Sequence, residues 1–248
     1  MSKRDYKGNQ SEGGQTPMSA ERNSKFFLEE YKNYRAQVES IDTYASISLA
    51  LSMKLQGIPR LLDIGNGGVF DYDTSKIGEI VGLDLFLDNL PSHIRLSKNI
   101  KMVQGSALDI PKILHDFDGV VIVMLIHHLV GKTVQDCLAN TRRLFSETFR
   151  VLRPGGKLII MESCVPSWFY AFEKIVFVPA TVVIENTMKH PATLQYPADL
   201  LSGIIEKAGF VEVKRENIPK GKHVLQYGVK VPSWVTPVQP VLFSAVRP

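Results

Sequence analysis

Cysteine is scarce. The 248 residues include two, Cys137 and Cys164, far apart and without His or Cys neighbours at metal-ligand spacing. That excludes a disulfide framework and a structural zinc site, and it suits a reducing, cytoplasmic compartment. Uninterrupted apolar runs are lacking as well. The most apolar stretch, 158–184, is broken by Glu162, Pro166, Glu173, Lys174 and Pro179, so no membrane span is expected. The opening residues, MSKRDYKGNQSEGGQTP, have no apolar core, so no secretory signal is expected there. Charge of one sign is in only mild excess, at +4 net. No Lys/Arg stripe interleaved with aromatics is visible, so nucleic acid is not an expected partner.

What is present describes an ordinary globular chain, with 44% hydrophobic and 22% charged residues, long enough for one α/β domain with a full core. Residues 1–24 are rich in Gly, Ser, Gln and charge, the composition of a flexible tail. From Ser24 to Leu55, apolar residues recur at spacings of three and four, which predicts one or two amphipathic helices. Strands are predicted over RLLDI (60–64), EIVGLD (79–84), NIKMVQ (99–104), DGVVIVML (118–125) and GKLIIMES (156–163). FVEVKREN (210–217) and PVLFSAV (240–246) complete the set. Helices are predicted from Thr133 to Leu152, stopped by Pro154-Gly155-Gly156, and over ADLLSGIIEKAGF (198–210).

Strand and helix alternate from residue 60, which predicts an α/β, doubly wound, mostly parallel seven-stranded sheet with helices on both faces. The expected organisation is a single domain over 25–248, with a cofactor-binding core at about 58–163, an N-terminal helical cover, and a lid after strand 5 at about 164–197. In such sheets ligands lie beyond the carboxyl ends of the strands, which directs attention to the residues just past each one.

Asp63-Ile64-Gly65-Asn66-Gly67-Gly68 follows the first strand. Glycines there let backbone approach a ligand closely, although a glycine turn between strand and helix is often only a turn. A GxGxxG nicotinamide loop would need glycine at position 70, where Phe70 stands. Asp84 ends the second strand, where an acid is placed to accept the hydroxyls of a ribose; a helix-cap or surface Asp is the plainer reading.

Taken in order, LLDIGNGG, VGLDL, VQGSALDIP, VIVMLIHHL and FRVLRPGGKLIIME resemble the signature of class I S-adenosylmethionine-dependent methyltransferases. The small-molecule branch that includes quinone-biosynthesis enzymes is the nearest likeness, over roughly residues 60–163. The resemblance implies S-adenosylmethionine as cofactor, with S-adenosylhomocysteine as product. It implies a loop of Gly65, Asn66 and Gly67 passing under that cofactor and Asp63 near its amino-acid end. It places Asp84 on the ribose, Leu85 against adenine, Ser106 and Ala107 at the adenine edge, and Leu125 beside the cofactor. The family commonly has Asp where Ser106 stands and a third glycine where Val69 stands.

A sulfonium is already an activated methyl donor, so the protein has to align the reactants and exclude water, which accounts for about 7–11 kcal/mol of a barrier. His127 and His128, directly after the fourth strand, are the candidate bases for a hydroxyl acceptor, since histidine titrates near neutral pH; a His pair here also recurs in the family as a structural feature. Glu162 is a further candidate. Trp168, Tyr170, His190 and Tyr196 in the lid, with Tyr34 from the N-terminal helices, are candidate walls for a small, partly apolar or aromatic acceptor, or else ordinary packing residues. The histidines point to O-methylation. No metal is required, Asp71, Asp73 and Asp88 being an unconvincing ligand set. A homodimer is left open.

Three other readings compete. Tyr170 and Lys174 form the YxxxK pair of short-chain dehydrogenases, but that family's glycine loop is missing. A nucleic-acid methyltransferase suits the basic pI of 8.9, yet no Pro-Pro-aromatic motif follows the fourth strand. A non-catalytic cofactor-binding or partner protein on the same frame is opposed by the retained Asp63, Gly65, Gly67 and Asp84.

Overall fold

The computed structural model describes residues 41–87, 96–187, 192–226 and 229–248. The expected tail, Tyr34, Asp88 and His190 lie outside the described residues. Strands β1 (Arg60–Ile64), β2 (Glu79–Asp84), β3 (Ile100–Gln104), β4 (Phe117–Val123), β5 (Leu152–Cys164), β6 (Val211–Asn217) and β9 (Gln239–Val246) form one sheet in the order β3-β2-β1-β4-β5-β9-β6. The first five run parallel, and β9 runs antiparallel to both β5 and β6. The expected seven-stranded, mostly parallel sheet is the one found.

Alternation along each strand divides the core between two faces. Leu62, Val120, Ile122, Leu158 and Ile160 pack with helices α2 (Val134–Val151) and α4 (Ala198–Lys207). Leu61, Val121, Ile159 and Met161 pack on the other face with Leu51 and Leu55 of helix α1 (Asp42–Leu55). Central strands covered on both sides read as continuous apolar runs, which is why VVIV is legible as a buried strand. Helix α2 opens with a capping box, the Thr133 side chain accepting from the Asp136 backbone N–H and the Asp136 carboxylate from that of Thr133.

The structure departs from expectation at boundaries. Pro154-Gly155-Gly156 forms no loop. Strand β5 begins at Leu152, directly after α2, and carries the three residues as an irregularity: Phe117 pairs with Leu152 and Gly119 with Lys157. A proline without an N–H and a glycine at φ +76° let the strand shift register there. Strand β4 ends at Val123 rather than 125. A hairpin of β7 (His223–Gln226) and β8 (Val229–Pro232) adds to the expected elements. The segment expected to form a lid is largely one helix, α3 (Ser167–Thr187).

Gly78 shows how tightly the start of the sheet is set. Its N–H donates to the Ile58 carbonyl, that of Glu79 donates to the Pro59 carbonyl, and a Cβ on Gly78 would stand 2.3 Å from the Pro59 oxygen. Because the obstacle is backbone, Gly78→Ala is expected to cost about 1–3 kcal/mol of stability, read as a lowered urea midpoint at unchanged slope.

Candidate functional site

The strand order reverses between β1 and β4, which places the topological switch point beside the Asp63–Gly68 turn. Gly65 and Gly67 both adopt positive φ, +76° and +57°, a conformation that side chains resist. The turn is held from three sides. The Gly65 N–H donates to the Leu83 carbonyl at 2.7 Å, that of Gly67 to Asp84 Oδ2 at 2.8 Å, and that of Gly68 to Asn66 Oδ1 at 2.8 Å. A Cβ on Gly67 would meet nothing within 4 Å, so the space above it is open. A Cβ on Gly65 would lie 2.7 Å from the Leu125 methyls. Leu125 therefore sits against the loop, over Gly65, leaving Gly67 as its open part.

Two acids flank this loop. Asp84 is half-buried; Oδ1 accepts from the Phe86 N–H at 3.0 Å and Oδ2 from Gly67. With the Leu85 N–H also bearing on it, three backbone donors serve a carboxylate that has about four acceptor sites, which leaves room for a further donor. Burial raises its pKa, partly offset by those backbone bonds. Asp63 is buried; Oδ2 accepts from the Tyr72 hydroxyl at 2.7 Å and from Asn66 Nδ2 at 3.0 Å, while Oδ1 has no hydrogen-bond partner. Burial lifts its pKa to about 7 against those two bonds. A buried oxygen without a donor marks a position for an incoming one. An acid with acceptor room to spare, a partnerless buried oxygen and open backbone between them fit an adenosyl amino acid with ribose hydroxyls and an ammonium.

The adenine edge is less sharply built. Ser106 spends its hydroxyl oxygen on the Leu108 N–H at 3.1 Å, closing a turn with Asp109, though its proton stays available to donate. Leu85 and Ala107 are half-buried, and Gln104 Nε2 donates to the Leu85 carbonyl.

Across the switch point, Met124 takes φ +49°, rare for a residue with a long side chain, and its N–H donates to the Met161 carbonyl at 2.8 Å. A 3-10 turn over Ile126–His128 follows. Here Glu162, with no exposure, gathers three donors: Oε2 accepts from the Ile126 N–H at 2.8 Å, and Oε1 from His127 Nδ1 at 2.6 Å and the Ser163 N–H at 2.7 Å. The His127 carbonyl accepts from the Leu194 N–H at 3.0 Å. With Nδ1 donating to the carboxylate, Nε2 is left as the acceptor nitrogen. The rings of His127 and His128 lie 4.2 Å apart between centres, tilted 42° to one another. Glu162 is visible in the sequence as an acid at a strand end; its bond to His127 leaves no signal there, because 35 residues separate the two.

The aromatics expected to line a lid do not form one wall. Trp168 is 67% exposed, while Tyr170 and Tyr196 lie in the core with rings 6.0 Å apart. Two helical residues of spacing two point to opposite sides. The Tyr196 hydroxyl accepts from Thr141 Oγ1, so it packs on α2. Cys137 and Cys164 are buried and free; burial raises the Cys137 thiol to about 11. Among the described residues no three His, Cys, Asp or Glu side chains converge as a metal site.

Residues 62–160 match the family model described as a methyltransferase domain. The chain is 27% identical over 202 residues to a ubiquinone/menaquinone biosynthesis C-methyltransferase of Haemophilus ducreyi, covering 69% of this chain and 71% of that one. It is 28% identical over 196 residues to a demethylmenaquinone methyltransferase of Lactococcus lactis, covering 68% and 73%. In fold it is similar to the N-methyltransferase NodS of Bradyrhizobium japonicum, solved with S-adenosyl-L-homocysteine, at a TM-score of 0.62 and 14% identity over 93% of this chain and 99% of that one.

The raised Asp63 pKa has a definite sign in stability. The folded protein holds this proton up to about pH 7 and the unfolded chain only to 3.8. The penalty of ionising it is thus absent below that lower value, accumulates as pH rises, and is complete above about 7, at about 1.4 kcal/mol for each unit of displacement. Asp63→Asn is expected to flatten this part of the stability profile, measured by denaturant melts between those pH values. An unchanged profile would show that Asp63 is not the buried proton carrier.

Proposed function

We propose that the chain is a class I S-adenosylmethionine-dependent methyltransferase, a reading supported by the match of residues 62–160 to a methyltransferase domain, and that it methylates a ring carbon of a hydroxylated, quinone-related acceptor, with His127 as the base. The observation that carries this reading is the bond from His127 Nδ1 to the buried Glu162, at the carboxyl end of β5 and just past Leu125, which lies on the glycine loop. The names of the relatives, C-methyltransferases of quinone biosynthesis, support a ring-carbon acceptor over the O-methylation suggested by the histidines alone.

Bound S-adenosylmethionine supplies a methyl group already activated on a sulfonium. Asp84 holds the ribose hydroxyls through the acceptor room left by Gly67, Leu85 and Phe86. Asp63 receives the ammonium with its partnerless oxygen, and Gly67 gives room for the chain of the amino acid. His127 Nε2 takes the proton of an acceptor hydroxyl, which sends electron density onto the ring carbon that receives the methyl as its bond to sulfur breaks; the hydrogen displaced from that carbon leaves as a proton when the ring regains aromaticity. Glu162 holds the imidazole in the required tautomer and stabilises the cation it becomes. Leu125 and the buried Ile126 keep water from the space between loop and base.

Three measurements bear on this. His127→Ala is expected to lower kcat by about 10²–10⁴-fold while cofactor affinity by calorimetry stays intact; wild-type turnover would remove the base role. Asp84→Ala is expected to weaken cofactor binding by about 1.5–3 kcal/mol, the scale of hydrogen bonds to a charged group, and unchanged affinity would take it off the ribose. Supplying ¹³C-methyl cofactor with a hydroquinone and reading the product by NMR separates the two outcomes: a ring methyl supports the proposal, and a methoxy group overturns the choice of carbon.

A further inference from the structure

The chain has two tryptophans, Trp168 and Trp234, and both face outward, 67% and 85% exposed. Large aromatic side chains are as a rule mostly buried. Each has apolar company. On α3, Trp168, Phe172, Ile175 and Val178 are all exposed, at the spacings of one helix face, while Tyr170, Glu173 and Phe177 turn inward. Next to Trp234, Val235 is exposed too. The helix is thus apolar on the side that a surface helix normally gives to charge.

Both clusters hang from the same end of the sheet. Cys164 of β5 pairs with Gln239 of β9; Trp168 follows the first by four residues and Trp234 precedes the second by five. This is the carboxyl end of β5, where Glu162 and His127 lie. The Trp234 turn is fixed from beneath, since Lys220 Nζ donates to the carbonyls of Ser233 and Thr236 at 3.0 and 3.2 Å.

The charge beside the Trp234 turn is mostly basic. After Glu216 the sequence has no Asp or Glu, yet it contains Lys220, Lys222, Lys230 and Arg247. The β7–β8 hairpin and its flanks are therefore basic, with Lys222 and Lys230 exposed. Asp42 reaches this region from α1, its carboxylate accepting from the Lys222 backbone N–H at 3.3 Å. No described helix is long and apolar enough to cross a membrane. An apolar helix face with exposed tryptophan, bordered on α3 itself by the exposed Lys174, is the pattern of a helix that lies in an interface. A second copy seated symmetrically on the same face would bring like-charged surroundings together.

We propose that the outer face of α3 and the Trp234 turn dock on an anionic lipid surface, with the β7–β8 hairpin lysines against the headgroups. The mouth of the site then faces the bilayer, where an acceptor with an apolar tail would partition. The docking extends the reading of the acceptor given above but rests on its own observations.

The experiment uses the full chain with vesicles of phosphatidylcholine, with and without phosphatidylglycerol. Sedimentation with the anionic vesicles and a blue shift of tryptophan emission are expected, in Trp168→Phe and Trp234→Phe as well as in the parent. Lys222→Gln is expected to weaken the partition about fivefold, and Ile175→Ser about tenfold. The proposal is overturned by protein that stays in the supernatant with both kinds of vesicle, or by equal partition to neutral vesicles. It is likewise overturned if Ile175→Ser abolishes a monomer–dimer equilibrium while vesicles bind neither form. Calorimetry of the parent with S-adenosylhomocysteine runs alongside. Intact cofactor binding without vesicle binding defeats the docking alone, and loss of cofactor binding defeats the site.

Discussion

A carboxylate removed from water sets the terms for the carboxyl end of the sheet. Glu162 has no exposure, and burying a charge is costly unless donors surround it. Its two oxygens take three: the Ile126 and Ser163 amides and His127 Nδ1. Those donors come from β5 itself and from the turn after β4, so the acid ties two neighbouring strand ends together. The turn cannot relax without stripping a partner from a buried oxygen, which is why the imidazole has a fixed direction. The Leu194 amide on the His127 carbonyl extends the same tie to the segment that leads into α4.

The parity of the strands explains how the site is divided. Asp63 and Asp84 fall on the α1 side, by the register that pairs Asp63 with Gly82 and Val121. Glu162 follows Leu158 and Ile160 to the α2 side. Asp63 and Asp84 on the one hand and Glu162 on the other thus leave the sheet in opposite directions. They are reconciled above its edge by the left-handed Met124, which turns the chain so that Leu125 reaches Gly65 while His127 reaches Glu162. The strain of one residue in that conformation, of order 1–3 kcal/mol, is met by the surrounding bonds.

Much of this is legible in the sequence. Every strand of the main sheet is legible there, and for the central ones the cause is burial on two faces, which leaves a mark on composition. The Asp63–Gly68 turn and Asp84 stand out because positive-φ backbone calls for glycine and an acid at a strand end is a marked residue type. Other features leave no such mark. Nothing in the letters around Met124 demands positive φ; that conformation is imposed by packing. The bond between His127 and Glu162 depends on two strands meeting in space. Tyr196 reads as a lid residue because aromatics in an insert look alike whether they face a ligand or, as here, Thr141. The start of β5 is hidden because Pro-Gly-Gly breaks helices and can also sit inside an irregular strand, and only the partner strand decides.

The position of β9 has a consequence for how such a chain matures. It comes last among the strands in sequence, yet it lies inside the sheet, between β5 and β6. Until residues 239–246 arrive, β5 presents an open hydrogen-bonding edge and β6 has nothing to join. An unpaired edge invites pairing with other chains, and a contact that closes so long a loop forms slowly. A chain halted before that point would carry most of the residues described here and still behave as an adhesive fragment, a natural target for chaperones.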